Sequence, residues 1–246
     1  MLVLALDTTT RRGSAALVRD GVVLDCEVGD PALTYGQRLP GDLVRLLGRH
    51  TLAVGDVDLF AVAAGPGSFT GIRIGIATMQ GLALTNGRPL AGVSALDALN
   101  ASEKGTGSLF PGDRSKKAPG TFFVGVWMDA QRGQVFSALY QGDRLLDGPC
   151  VDTPADTLSR WRADFIGGSA RTLFVGDGAL VYAALIRERL PQAAIGPDVP
   201  ALASAVARLA EVQAERGDPL SPEAIRPIYV RRPDVELARD RKQAGQ

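Results

Sequence analysis

The sequence is poor in the side chains that most neutral-pH enzyme chemistry uses. Among 246 residues there is one histidine, His50, and there are two cysteines, Cys26 and Cys150. A single histidine excludes any metal site built on two of them. It leaves a Ser-His-Asp arrangement open only if His50 itself takes part. The cysteines lie far apart, with no CxxC or Cys/His spacing near either. That argues against a zinc site or a disulfide framework and makes a reducing cytoplasm the expected setting. Net charge is absent too: 27 basic side chains balance 27 acidic ones. Coating nucleic acid by bulk electrostatics is therefore not expected, although a local basic patch is still open. No apolar run approaches the roughly 18–20 residues of a membrane span.

What is present fits a globular protein. Hydrophobic residues make up 46% and charged residues 22%, enough to bury a core in one large domain or two small ones. Met1 to Asp7 is apolar without a basic lead or cleavage site, so it is expected to be a first strand and not a signal peptide.

Short β-rich runs at Leu2–Asp7, Gly13–Arg19 and Val22–Val28 open the chain, with Asp20-Gly21 as a two-residue hairpin turn. Leu39, Leu43, Leu46 and Leu47 then fall on one face at helical spacing. His50 closes that helix, where a cation suits the helix dipole. The continuous apolar run Leu59–Ala64 predicts a strand buried on both faces. It breaks at GPGSFTG, Gly65 to Gly71, and enters a helix through about Thr85. Pro89–Val93 predicts a further strand, and Ser94 opens another helix with Asp97 three residues on.

The same order then recurs. Strands are expected at Thr121–Met128, Gln134–Tyr140 and Arg144–Val151, a helix at Pro154–Phe165, a strand at Thr172–Val175 and a helix at Ala179–Arg189. A last helix is expected over Ala201–Arg216. Two copies of β-β-β-α-β-α predict an α/β protein with mixed sheets, the duplicated ribonuclease-H-like fold of actin-like ATPases. Residues 1–100 form the expected first lobe, 101–120 an exposed loop, 121–230 the second lobe and 231–246 a flexible tail. The loop carries Lys104, Arg114, Lys116 and Lys117, which are read as solvated in preference to binding an anion.

Three places could carry chemistry. Asp7-Thr8-Thr9-Thr10 ends the first strand in a tight turn, which either cradles a phosphate or only bonds to itself. Asp129 ends a later strand in the same way, and Gly176-Asp177-Gly178 breaks the next one. Asp7, Thr8, Thr9, Asp129, Gly176 and Asp177 are thus the candidate nucleotide-binding residues, for magnesium and ATP if any. GPGSFTG lacks the GK[ST] ending of a phosphate loop and is not GxGxxG. The glycines after it, Gly71, Gly75 and Gly81, each cost a helix about 1 kcal/mol, which predicts close packing against another helix or a partner protein. A peptidase would need His50 within reach of Ser68 or Ser14.

LALDTTT, the run GPGSFTGIRIGIATMQGLA from Gly65 to Ala83, MDAQRGQVF at Met128–Phe136, GDGA at Gly176–Ala179 and PIYVRRPD at Pro227–Asp234 together resemble the TsaB (YeaZ) family. The likeness spans nearly the whole chain, apart from the insertion at 101–120. It implies a cytoplasmic, non-catalytic subunit without a cofactor of its own. The implied partners are TsaD, which transfers a threonylcarbamoyl group to the adenosine beside the anticodon in tRNAs reading ANN codons, and the ATPase TsaE. ATP and magnesium would be used by the complex, tRNA would be met through it, and the chain alone could form a homodimer. TsaD holds its metal with an HxxxH pair, which a chain with one histidine cannot supply. The resemblance also implies that pairing uses the first two helices, Gln37–Gly48 and Thr70–Thr85. On this sequence that means Leu39, Leu43 and Leu46 of the first, and Phe69, Thr70, Gly71, Arg73, Ile74, Gly75 and Thr78 of the second. Relatives often carry a histidine early in the first helix, where this chain reads Thr34-Tyr35-Gly36-Gln37-Arg38. On this reading Gly75→Leu weakens pairing more than it unfolds the monomer.

Overall fold

A computed structural model describes residues 1–102, 122–166, 171–218 and 220–231. Most of the expected loop, including its four basic residues, and the tail from residue 232 lie outside them.

The first sheet comprises β1 (Leu2–Asp7), β2 (Ser14–Arg19), β3 (Val22–Val28), β4 (Leu59–Gly65) and β5 (Leu90–Ser94), in the order β3-β2-β1-β4-β5. β1 to β3 form an antiparallel meander, whereas β4 and β5 run parallel to β1. Asp20 and Gly21 both take positive φ, 49° and 76°, as a primed hairpin turn demands. The second sheet repeats this plan with β6 (Phe122–Asp129), β7 (Val135–Gln141), β8 (Arg144–Asp152), β9 (Arg171–Val175) and β10 (Ala194–Ile195), in the order β10-β9-β6-β7-β8. β10 is only two residues long, which is why no apolar run marks it. The duplicated α/β architecture is thus as expected, and β10 is the one strand beyond those the sequence predicts.

Helices connect the strands: α1 (Tyr35–Arg49), α2 (Phe69–Thr85), α3 (Ala95–Ser102), α4 (Pro154–Asp164), α5 (Asp177–Val181), α6 (Ala183–Arg189) and α7 (Ala203–Glu215). Ser94 Oγ accepts from the Asp97 amide at 3.3 Å, so the expected cap of α3 forms. The single helix expected over Ala179–Arg189 is instead two short ones that meet at Tyr182 (φ −103°, ψ 22°). No Gly or Pro marks that break.

Alternation along β1 divides the core. Leu2, Leu4 and Leu6 join Leu39, Leu43, Leu46 and Ile72 under α1 and α2, while Val3 and Ala5 face the opposite side. There they meet Leu99 of α3, Val206 of α7, and Val124 and Val126 of β6 in one core shared by both sheets. α7 follows the second sheet in sequence yet packs on β1, β2, β4 and β5. A boundary that assigns all of 121–230 to the second lobe therefore misplaces it. Its Glu211 accepts from the Gly21 amide at 3.2 Å, and its first residue, Ala203, donates to Ser14 Oγ at 3.0 Å. On the outer face of the second sheet Trp127 and Phe174 meet Trp161 of α4 in mutual ring contact.

Candidate functional site

The carboxyl ends of β1 and β4 face those of β6 and β9 across a cleft of about 1070 Å³. This is where open α/β sheets place ligands. Its walls come from the DTTT turn, the GPGSF turn into α2, the β6–β7 turn and residues Ile228–Arg231.

Asp7 is buried, and its Oδ1 accepts from both the Thr9 amide (2.8 Å) and Thr9 Oγ1 (2.6 Å). Burial pushes its carboxyl above the usual carboxylate range; the Thr9 bonds pull the other way, and the charge of Asp177 adds a small upward push. Thr8 is buried behind it. The next turn closes on the first, because the Ser68 amide donates to the Thr9 carbonyl at 2.7 Å. A Cβ on Gly67, whose φ is 155°, would stand 2.5 Å from that carbonyl oxygen. Ser68 Oγ in turn accepts from the Gly71 amide at 3.2 Å, capping α2. The donors that would cradle a phosphate, the Thr9 amide and hydroxyl and the Ser68 amide, are therefore engaged within the chain.

The second half repeats this self-sufficiency. Asp129 accepts from the Gln131 amide (2.9 Å) and Gln131 Nε2 (2.6 Å). Asp177 Oδ1 accepts from the amides of Asp129 and Gly178, both at 2.9 Å. Burial raises the Asp177 carboxyl, against those hydrogen bonds. Gly176 (φ 102°) packs against the Trp127 carbonyl, where a Cβ would sit 2.2 Å from the oxygen. Of the six candidate nucleotide residues, Thr9, Asp129 and Asp177 line the cleft. The side chains of Asp7, Thr9, Asp129 and Asp177 hold turns, whereas the buried Thr8 Oγ1 has no partner among the described residues. No three metal-ligating side chains converge among the described residues.

A serine nucleophile fails on the same ground. Ser14 and Ser68 serve backbone amides, and His50 Nε2 lies 3.0 Å from Asp25 Oδ2 at the far end of α1.

α1 and α2 lie side by side on the first sheet. Leu39, Leu43 and Leu46 are buried in the core beneath them, as are Gly71 and Gly75. These five cannot form a partner surface in this fold. A Cβ on Gly71 would meet the Thr8 carbonyl oxygen at 2.1 Å, and one on Gly75 would meet Thr8 Oγ1 at 2.2 Å. The close packing expected of these glycines is real, but its object is β1's own turn. Gly75→Leu would break the fold before it could report on pairing.

Phe69, Thr70 and Arg73 are exposed, and Ile74 and Thr78 half-buried. Sequence reasoning missed the rest of this outer face: Val44 is 70% exposed and Leu84 51%. Around them a Cβ on Gly36, Gly48 or Gly81 would meet nothing within 4 Å. The signal was present in the turn of α1 opposite its leucines, Pro40-Gly41 and Val44. Also missed was Arg38, which is buried, lies 2.6 Å from Asp42 and accounts for Gly29, where a side chain would overlap its guanidinium.

Comparison with known proteins follows the same lines. Residues 34–239 match the family TsaD: tRNA N6-adenosine threonylcarbamoyltransferase. The tRNA threonylcarbamoyladenosine biosynthesis protein TsaB of Bacillus subtilis is 28% identical over 190 residues, 77% of each chain. YeaZ from Pseudomonas aeruginosa superposes with a TM-score of 0.70 at 31% identity, covering 93% of this chain and 99% of its own. A ROK family protein from Streptococcus pneumoniae, 9% identical with a TM-score of 0.51 over 88% of this chain and all of its own, shares the fold alone.

Proposed function

Because the chain belongs to the TsaB (YeaZ) family, within the actin-like superfamily that also holds TsaD, we propose that it is a non-catalytic subunit of tRNA threonylcarbamoyladenosine biosynthesis that pairs with a TsaD-type transferase. The observation that carries this reading is the outer face of α1 and α2. Gly48 and Gly81 lie within helices, cost each about 1 kcal/mol relative to alanine, and have no neighbour among the described residues to account for them. Beside them stand two well-exposed aliphatic side chains, Val44 and Leu84. Bare backbone flanked by apolar side chains suits another helix pair, which can approach closely and bury them.

The commitment of Asp7, Thr9, Asp129 and Asp177 to their own turns supports the non-catalytic part of the reading. The chemistry then belongs to the partner, with ATP and magnesium used by the complex through a TsaE-type ATPase and tRNA met there. Without a partner, the same face would close on a second copy of the chain. Among the described residues no helix is long and apolar enough to cross a membrane, and the cytoplasm, where tRNA is modified, is the proposed setting.

The test is light scattering on a gel-filtration column with the TsaD homologue of the same organism, at micromolar concentrations. A one-to-one complex is expected, and adding it to TsaE, ATP, the threonylcarbamoyl adenylate and tRNA should restore modification that TsaD and TsaE lack without it. Failure to form any complex, with or without TsaE and nucleotide, would overturn the proposal.

A further inference from the structure

The last described stretch of the chain runs from one lip of the cleft to the other. It is anchored first on the first lobe. The Leu90 amide donates to the Leu220 carbonyl at 3.1 Å, and Gln80 Nε2 donates to the Pro222 carbonyl at 2.7 Å. Ile225 packs on Gly92, where a Cβ would lie 3.2 Å from its side chain. The Ile228 amide then donates to the Ala64 carbonyl at 2.7 Å, at the end of β4. Tyr229 stacks on Phe69, ring centroids 5.2 Å apart, and accepts a hydrogen bond from Arg73 Nε at 2.7 Å. The Arg73 guanidinium covers the Phe69 ring at 3.7 Å.

Two residues later the chain has changed lobes. Arg231 Nη1 donates to the Ala130 carbonyl at 2.7 Å, and its Nη2 donates to Gln134 Oε1, both in the β6–β7 turn. Val230 between them packs on the core shared by both sheets. Two residues of extended chain reach at most about 7 Å. The separation of the two lips is therefore limited by Tyr229-Val230-Arg231 for as long as both ends hold.

The opposite edge of the interlobe contact is tied as well. Tyr140 of β7 donates to Asp97 of α3 at 2.6 Å, and Asn100 of α3 donates to the Gly142 carbonyl at 3.0 Å. α3 and the shared core form one fixed edge, and this C-terminal segment spans the mouth of the cleft.

We propose that residues 225–231 are a clasp that sets the opening of the cleft, so that the two lobes move as one body while Tyr229 and Arg231 are seated and swing apart when they are released. Asp7, Thr9, Asp129 and Asp177 bond within their own turns, whereas this covalently attached segment bonds to both lobes.

The test uses the full chain with Cys26→Ser and Cys150→Ser, and spin labels on Val22→Cys and Glu188→Cys, exposed positions on opposite lobes. Pulsed dipolar spectroscopy should give one narrow distance. In Tyr229→Ala/Arg231→Ala a second, displaced distance population should appear. Hydrogen exchange should show the Ile228 amide opening about tenfold faster or more, as expected for loss of charge-assisted hydrogen bonds. Arg73→Ala/Gln134→Ala removes the Arg73–Tyr229 and Gln134–Arg231 bonds from the other side, keeps the segment's sequence, its Phe69 stack and its bond to the Ala130 carbonyl, and should give the same two changes in smaller measure. An unchanged distance with faster exchange at Ile228 would overturn the proposal. So would unchanged exchange in both double variants, because the contacts named here would then not hold the segment.

Discussion

A β-carbon on Gly71 would stand 2.1 Å from the carbonyl oxygen of Thr8, so α2 reaches its place on the first turn only because this position has no side chain. Gly81, nearly three turns further along the same helix, faces open space. The two glycines should respond to the same substitution in opposite ways. Gly71→Ala gains helix propensity but must push backbone from backbone, and it should destabilise the chain by about 1–3 kcal/mol. Gly81→Ala has nothing to push and should stabilise the isolated chain by about 0.5–1 kcal/mol. Denaturant titration of both variants checks the contrast. Equal effects would mean that the packing of α2 on Thr8 has been misjudged.

Val44→Asp and Leu84→Asp place a charge at the centre of the proposed docking face while touching no core residue. Each should leave the melting temperature of the isolated chain within about 2 °C of the parent, because both side chains are well exposed. Each should weaken binding to the TsaD-type partner by about tenfold or more, because an uncompensated carboxylate would be desolvated on docking. Titration calorimetry measures this directly. Undiminished affinity in both would move the interface away from α1 and α2.

Much of the fold was legible because period and punctuation agreed. The apolar run Leu59–Ala64 could only be a doubly buried strand, and Asp20-Gly21 could only be a turn with two positive φ values. The second sheet's fifth strand was not legible, because Ala194–Ile195 borrows its definition from pairing with Leu173 and Phe174. The site was harder for a related reason. Leu39, Leu43 and Leu46 announce a buried face, and burial is a different property from partner contact. Glycines say that something approaches closely without saying what does. Only the placement of Thr8 separates Gly71 and Gly75, which serve the fold, from Gly81, which does not. Likewise Arg231 reads as the start of a charged tail until its bonds to Ala130 and Gln134 are seen.

Asp7 lends stability with an unusual pH dependence. Its folded-state carboxyl lies above the unfolded value of 3.8 because burial disfavours its charge. The stability it contributes is then fully present below that value and is lost as pH rises through the folded pKa. Asp7→Asn keeps an oxygen for the Thr9 amide and hydroxyl and carries no charge to bury. It should therefore melt higher than the parent at neutral pH, with the difference shrinking as pH falls towards about 4. Asp7→Ala also carries no charge to bury but leaves the Thr9 donors unpaired, so it should destabilise by about 1–3 kcal/mol near pH 4 and by less at neutral pH. Thermal melts of the three proteins across this range decide it. A gap between parent and Asp7→Asn that widens in acid would reverse the sign.

The same geometry makes a prediction about nucleotide. The Thr9 amide and hydroxyl are bonded to Asp7, and the Ser68 amide is bonded to the Thr9 carbonyl, so a phosphate entering the cleft would find these donors taken. Breaking them to bind would forfeit about as much as it gained. At about 5 mM magnesium-ATP, a site with a dissociation constant of about 1 mM would add about 1 kcal/mol to stability and raise the melting temperature of a chain this size by about 2–4 °C. The isolated chain should instead shift by less than about 1 °C, and Asp129→Asn should not alter that result. A shift of several degrees, lost in Asp129→Asn and accompanied by ATP turnover that Asp7→Ala abolishes, would show that the turns open for a nucleotide and that the chain is an ATPase in its own right.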